Sequence, residues 1–375
     1  VIKIIKSYKV KLEPNNKQLT LLNSFAGTAR WAYNWTLGRQ QDNYKNGGKF
    51  LSDGDLRKKL TQLKQTPEFN WLYKVSNNVT KQAIKDACDA YKSFFRKKSG
   101  FPKFKSKKKS KPAFYHDNVK LKITKTHIQL ERIGKIKLSE YGRIPIGKYS
   151  NPRITFDGLN WYISLGVEYE QEQQKLNGII GIDVGIKETA ILSNGIVIPN
   201  INKITKMKKL EKRKKKLQGI IAKKYQINKK GESHVKTVNI AKLEKKVKKL
   251  SKKIVNIRTD FMHKATTSIV KIKPSKIVME DLNIKGMLKN HKLAKEIQDQ
   301  SLSEFKRQLK YKCDWNGIEM VEASRWFPSS KTCSECGFIK PKLSLSERTF
   351  VCECCGFEID RDLNAAINLK NYKVA

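Results

Sequence analysis

The sequence predicts a multidomain α/β protein in which a small β-barrel precedes an α/β domain. Three features of the 375-residue chain carry that expectation. Short strands separated by turn residues recur at roughly ten-residue spacing between residues 113 and 170, the pattern of a small barrel. The second half strings apolar strands and amphipathic helices in mixed order, the pattern of an α/β layer. Two long stretches of helical period interrupt the strands, one near each end of the barrel segment.

Residues 1–12 alternate apolar and basic as a strand should, and Pro14-Asn15-Asn16-Lys17 turns the chain. From Gln18 to about Lys98 the period is helical. Leu21, Leu22, Phe25, Ala29, Ala32, Trp35 and Leu37 mark a first helix and Val79 to Phe95 a later one, with Asn46-Gly-Gly and Leu51-Ser-Asp-Gly read as loops. Ser99 to Pro112 is too basic to build a core, and its residues Phe101 and Phe104 could stack on bases or merely anchor the connector. Strands follow at Val119–Ile123, His127–Leu130, Lys135–Leu138, Arg153–Phe156 and Trp161–Val167, and the first strand should complete their barrel. A hydrophilic link runs from Glu168 to Lys175.

Gly178–Gly185 opens the second half as a buried strand, and Ser193-Asn-Gly195 marks a hairpin turn between two apolar runs. Residues 203–261 hold 22 Lys and Arg against 4 acids. Met207, Leu210, Leu217, Ile221 and then Ile240, Leu243, Val247, Leu250, Ile254, Ile257 and Phe261 recur at heptad spacing, with Lys214 breaking the first seam. An antiparallel helical hairpin turning at Asn228–Ser233 accounts for both runs, and its one-signed charge suits nucleic acid. A strand at Ile277–Leu282, a polar stretch from Asn283 to Gln300, a helix from Leu302 to about Trp315 and a strand at Ile318–Ala323 complete an α/β domain of RNase H type with insertions.

The net charge of +45 far exceeds what solubility needs and calls for a polyanionic partner. A membrane surface is the weaker choice, because no apolar run is long enough to span one. The opening strand does not resemble a signal peptide, so a cytoplasmic, nucleoid-associated protein is expected. Five of the seven cysteines fall between 333 and 355, which in a reducing compartment implies metal. Cys333-x2-Cys336 and Cys352-x2-Cys355, fifteen residues apart, match a four-thiolate zinc site, with Cys354 competing for the place of Cys352. Such a closed site is structural or faces nucleic acid.

Three acids from distant segments form the other candidate centre. Asp183 and Glu280 stand near the ends of apolar strands, and Asp362 stands in the first turn of a helix, where Asp360 competes with it. Carboxylates in such places need positive charge against them, and hard divalent cations supply it. Taken singly, each acid could be a turn residue, a lysine partner or a helix cap. Gly181-Ile-Asp-Val-Gly185 also resembles the phosphate-loop strand of actin-like ATPases.

Phe327-Pro-Ser-Ser-Lys-Thr-Cys-Ser-Glu-Cys-Gly337, the second cysteine pair and Asp360-Arg-Asp-Leu-Asn-Ala-Ala-Ile-Asn368 resemble the C-terminus of TnpB proteins, transposon-encoded relatives of type V CRISPR effectors. The likeness extends through Gly181–Gly185 and Met279–Asn283 back to Trp31-Ala-Tyr-Asn-Trp35 and Gly100–Lys105. It implies an RNA-guided DNA endonuclease with an RNase H-like (RuvC) nuclease domain, an inserted zinc ribbon, and a wedge-like barrel split by a helical recognition domain. Its implied boundaries are 1–17 and 113–172 for the barrel and 18–112 for the helical domain with its connector. The nuclease would occupy 173–329 and 358–375, with the hairpin at 203–261 and the ribbon at 330–357.

The same resemblance assigns Asp183, Glu280 and Asp362 to catalysis and to two Mg²⁺ or Mn²⁺ ions about 4 Å apart. It assigns Cys333, Cys336, Cys352 and Cys355 to Zn²⁺. A guide RNA from the transposon end and a double-stranded target beside a short flanking motif would be the partners. One site would cut both strands in turn, leaving 5′-phosphates, and residues 283–300 could cover it. The competing readings are an RNA-guided repressor that does not cleave and a DDE-type transposase.

Overall fold

The computed structural model describes residues 2–171, 174–344 and 346–373. Val1, two residues of the expected link (172 and 173), Leu345 and the last two positions lie outside them. The chain divides into two compact units, Lys3–Glu170 and Gln171–Ala375 together with Val1–Ile2.

In the first unit β1 (Ile2–Glu13) leads into α1 (Asn16–Lys45), α2 (Asp53–Leu63) and α3 (Asn77–Phe95). A sheet of β2 (Ala113–Tyr115), β3 (Lys122–Ile123), β4 (His127–Leu130), β5 (Gly134–Leu138), β6 (Tyr149–Phe156) and β7 (Trp161–Gln171) then forms around β1 in the order β2-β6-β7-β1-β5-β4-β3. The first strand joins this sheet, as expected, and takes its central position. Among the described residues the sheet forms a half-barrel that does not close, with β2 and β3 as edges. Helices and sheet share one apolar core, in which Phe25 of α1 packs on Phe114 of β2 at 5.3 Å between ring centres.

Local chemistry explains the departures from the sequence expectation in this unit. Leu51-Ser-Asp-Gly is a helix start and not a loop, because Ser52 accepts the Asp55 N–H and two acids occupy the first turn of α2. Val119 to Leu121 are not strand, because the Asp117 carboxylate takes the N–H groups of Val119 and Lys120 and turns the chain. The three residues of β2 are too few for a periodic signal, although Phe114 is buried.

The second unit centres on a five-stranded sheet of order β10-β9-β8-β13-β14. Its strands are β8 (Ile179–Asp183), β9 (Ala190–Leu192), β10 (Val197–Ile198), β13 (Lys276–Glu280) and β14 (Glu319–Ala323). β8 and β13 run parallel, as do β13 and β14, while β8, β9 and β10 form an antiparallel meander. Gly195, at φ +83°, makes the expected β9–β10 turn.

Between β10 and β13 stand α4 (Thr205–Ile227) and α5 (Val238–Lys271), joined by a small ribbon of β11 (Lys229–Lys230) and β12 (Ser233–His234). The hairpin is the expected one, but α5 runs ten residues further. Met262, Ala265 and Ile269 in that extension are buried in the domain core with Phe305 and Leu309. Residues 283–300, read as a polar stretch, hold two short helices, α6 (Ile284–Met287) and α7 (Ala294–Gln300). They precede α8 (Leu302–Asn316).

After β14 come the cysteine-bearing loops, β15 (Thr349–Val351), β16 (Glu358–Asp360) and α9 (Arg361–Lys370). α9 packs against β8 with no side chain between them at one point. A Cβ on Gly181 would lie 2.0 Å from the Ala366 carbonyl oxygen and 2.3 Å from the Lys370 nitrogen. Glycine is therefore required where strand and helix backbones meet. No helix among the described residues is long and apolar enough to cross a membrane.

Candidate functional site

Strand register brings the first two acids together. Ile182 of β8 is paired with Met279 of β13, and Asp183 and Glu280 are each the next residue on these parallel strands. Adjacent strands lie about 4.8 Å apart and residues in register share a face. Both carboxylates therefore leave the C-terminal edge of the sheet on the same side, where α/β sheets place their ligands.

The third acid comes from α9. Asp360 is the N-cap of that helix, its carboxylate accepting the N–H groups of Asp362 and Leu363 at 3.0 Å each. The capping role occupies Asp360 and leaves Asp362, in the first turn, free to face the sheet. Asp183, Glu280 and Asp362 all line one cleft of about 610 Å³, and each is half-buried.

Burial holds the Asp183 carboxyl well above the usual carboxylate range, and the charges of Glu280 and Asp362 push it the same way, against the Arg361 guanidinium. Among the described residues only the four cysteines form a group of three or more His, Cys, Asp or Glu whose ligand atoms all lie within 4.8 Å of one another. The three acids surround the cleft more loosely, as like charges do.

Five residues that sequence reasoning passed over line the cleft or brace it from behind. Ser329 donates a hydrogen bond to Glu280, and the Ser329 carbonyl is itself held by the Asn368 amide at 2.8 Å. Asn364 and Asn368, four residues apart on one buried face of α9, both donate to the Thr332 carbonyl, and Asn364 also accepts the Ser334 N–H. They pin the first cysteine loop to the helix that carries Asp362. Two buried asparagines at i and i+4 were the available signal. Arg348 is exposed on the cleft rim with no ion-pair partner among the described residues. Arg361 sits inside, donating to the Ser344 carbonyl at 3.0 Å. Asp281, beside Glu280 in sequence, is turned away and paired with Arg325 and Lys306.

Cys333, Cys336, Cys352 and Cys355 come together as the spacing predicts. Each pair closes a knuckle of the same form. The Cys333 N–H donates to Phe338 and the Gly337 N–H to Cys333, and Cys352 does the same with Phe357 and Gly356. Both glycines have positive φ, +79° and +71°, which the tight turn imposes. The two loops meet with sulfurs 3.8 Å (Cys333–Cys355) and 3.6 Å (Cys336–Cys352) apart. Backbone N–H groups of Cys355 and Cys354 aimed at the Cys352 sulfur lower its pKa to about 6. Cys354 is exposed, offers its N–H to Cys352 and lies outside the cluster. Four thiols in two such knuckles are a donor set that zinc fits.

Comparison with known families and proteins agrees along the chain. Residues 303–369 match the family model "Cas12f1-like, TNB domain", 162–291 match "Probable transposase" and 4–49 match "Helix-turn-helix domain". In the structure the last of these stretches is β1 followed by one 30-residue helix. The chain is 31% identical to "Putative RNA-guided DNA endonuclease" of Streptomyces pristinaespiralis, over 97% of this chain and 88% of the relative. It is 29% identical to "Putative RNA-guided DNA endonuclease InsQ" of Escherichia coli (strain K12), over 98% and 92%. It is also 27% identical to "CRISPR-associated endodeoxyribonuclease Cas12f1" of Sulfoacidibacillus thermotolerans, over 69% and 61%.

Proposed function

The chain belongs to the TnpB family, and on that premise we propose that it is an RNA-guided DNA endonuclease whose single RuvC-like site cuts both strands of a target duplex. The observation that supports the reading best is the convergence of Asp183, Glu280 and Asp362 on one cleft at the C-terminal edge of the parallel strands.

The acids would hold two magnesium or manganese ions. Their donor set is all oxygen, and the burial and like-charge repulsion that raise the Asp183 pKa are what divalent cations would relieve. Bound ions supply an activated water and Lewis-acid stabilisation of the leaving oxygen, giving 5′-phosphate ends. The chain's own groups do the rest. Ser329 fixes the orientation of Glu280, and Arg361 offsets the charge on Asp183. Arg348 and the exposed Lys187 offer cations to a phosphodiester at the rim. Met287 and Leu293 of the 283–300 stretch wall one side of the cleft and limit water there. Zinc at the four cysteines would lock the loops that Asn364 and Asn368 tie to α9, and so fix the position of Asp362.

The guide RNA would bind through the lysines that give the chain its charge of +45, and target sequence would be read by base pairing, with the protein reading only a short flanking motif. The test is to express the gene with its native flanking DNA, purify the complex and sequence the RNA that accompanies it. A discrete RNA whose end matches DNA beside the gene, together with cutting of a duplex matched to that end, supports the reading. Random cellular RNA with no matched cutting overturns it.

A further inference from the structure

An aromatic cleft in the first unit belongs to neither centre. It opens between the C-terminal ends of α1 and α3 and measures about 470 Å³, within the ~300–1,000 Å³ of small-molecule sites. Phe50, Tyr91, Phe94, Phe95 and Phe101 line it. Phe101 meets Tyr91 and Phe94 edge-on at 5.6 Å and 5.3 Å, so the connector phenylalanine does anchor its loop. Anchoring leaves much of the surface unused. Phe95 remains 60% exposed, Phe101 50% and Tyr44 on the rim 79%.

Two further features bear on the occupant. Tyr91 is only 5% exposed, yet its hydroxyl has no hydrogen-bond partner among the described residues. Gln41, which also lines the cleft, acts on the hydroxyl without meeting hydrogen-bond geometry. A buried orphan hydroxyl in an apolar wall costs free energy until a ligand supplies the missing partner. At the cleft Lys49 is exposed with no acidic partner among the described residues, and Lys97, Lys98 and Lys103, within three residues of Phe95 or Phe101 in sequence, are exposed as well. Flat apolar faces, an unpaired polar group in their wall and an exposed ammonium group beside them match the three parts of a nucleotide: base plane, base edge and phosphate.

We propose that this cleft binds an unpaired base of the guide RNA, stacked against Phe95 and Phe101 with its edge towards the Tyr91 hydroxyl and its phosphate on Lys49. The choice of RNA over DNA follows from permanence. An exposed aromatic cleft with an orphan hydroxyl is best relieved by a partner that stays bound, and the guide is present whether or not a target is. The inference rests on the RNA-guided reading given above.

The test is ultraviolet cross-linking of the purified ribonucleoprotein, without target DNA, followed by peptide mapping. The expected result is a ribonucleotide adduct on the peptides bearing Phe50 or Tyr91 to Phe101. In parallel, Phe95→Ala and Phe101→Ala should each weaken binding of the co-purified RNA about tenfold or more, with unchanged melting temperature. RNA that cross-links only elsewhere overturns the inference while leaving the RNA-guided reading intact. So does an adduct that forms only with added single-stranded DNA, or a dimer that the same variants dissociate. If no discrete RNA accompanies the wild-type protein, the parent reading fails first. Should either variant fold poorly, the wild-type adduct map still decides.

Discussion

Gly181 and Ala366 touch through their backbones: a Cβ on Gly181 would stand 2.0 Å from the Ala366 carbonyl oxygen. This contact sets the distance between β8, which ends in Asp183, and α9, which begins with Arg361 and Asp362. Gly181→Ala must push the helix away or distort the strand, at a cost of about 3 kcal/mol. We expect a lower melting temperature and at least tenfold slower DNA cleavage, with the zinc content unchanged. Gel-based cleavage rates beside a metal assay check both.

Ser329→Ala tests the positioning of Glu280. Losing a hydrogen bond to a charged group costs about 1.5–3 kcal/mol, and the loss here falls on an acid of the cleft. The single-turnover cleavage rate should drop roughly tenfold or more while RNA affinity stays as it was. Ser329→Thr, which keeps the hydroxyl, should recover part of the rate.

The cysteines offer a paired comparison two residues apart. Cys352→Ser should abolish stoichiometric zinc and lower stability, because it removes one of the four clustered sulfurs. Cys354→Ser should leave zinc and melting temperature unchanged, since that thiol lies outside the cluster and contributes only its backbone N–H. Metal content by mass spectrometry separates the two.

Asp183 gives a pH dependence of definite sign. Its folded pKa is raised, mainly by burial and then by Glu280 and Asp362. Below the unfolded carboxylate value, near 3.8, both states hold the proton and the penalty is absent. As pH rises towards the folded value the native state keeps a proton the unfolded chain has released, so stability falls, and above it the full penalty persists. In magnesium-free buffer, Asp183→Asn should therefore melt higher than wild type at neutral pH, with the gain vanishing below about pH 4. Adding Mg²⁺ should raise the wild-type melting temperature and leave the variant unmoved.

The legible parts of this protein are those written in local pattern. Asp183 and Glu280 stood out because each ends a short apolar run, and the parallel register of those runs then places the acids side by side. The cysteine spacing carried the metal cluster and favoured Cys352 over Cys354, and the folded loops bring that same set of four together. Local pattern alone left Asp360 competing with Asp362, which only the family resemblance favoured, and the fold shows that Asp360 caps the helix. Ser329, Arg348, Asn364 and Asn368 were hidden because their partners lie on other elements, and no periodicity marks a hydrogen bond across a fold. The barrel expectation was met as a half-barrel for a related reason: closure depends on whether β2 and β3 pair with each other, a long-range matter on which alternation is silent.

The central claim is that one carboxylate site performs guided cutting of both strands. Its most direct test is strand-resolved cleavage of end-labelled duplexes by the purified ribonucleoprotein, comparing wild type with Asp183→Ala on matched and mismatched targets. Magnesium-dependent breaks with 5′-phosphate ends in both strands of the matched duplex alone, and none from Asp183→Ala loaded with the same RNA, are the predicted result. A break in either strand from Asp183→Ala, or equal cutting of the mismatched duplex by wild type, would contradict the account.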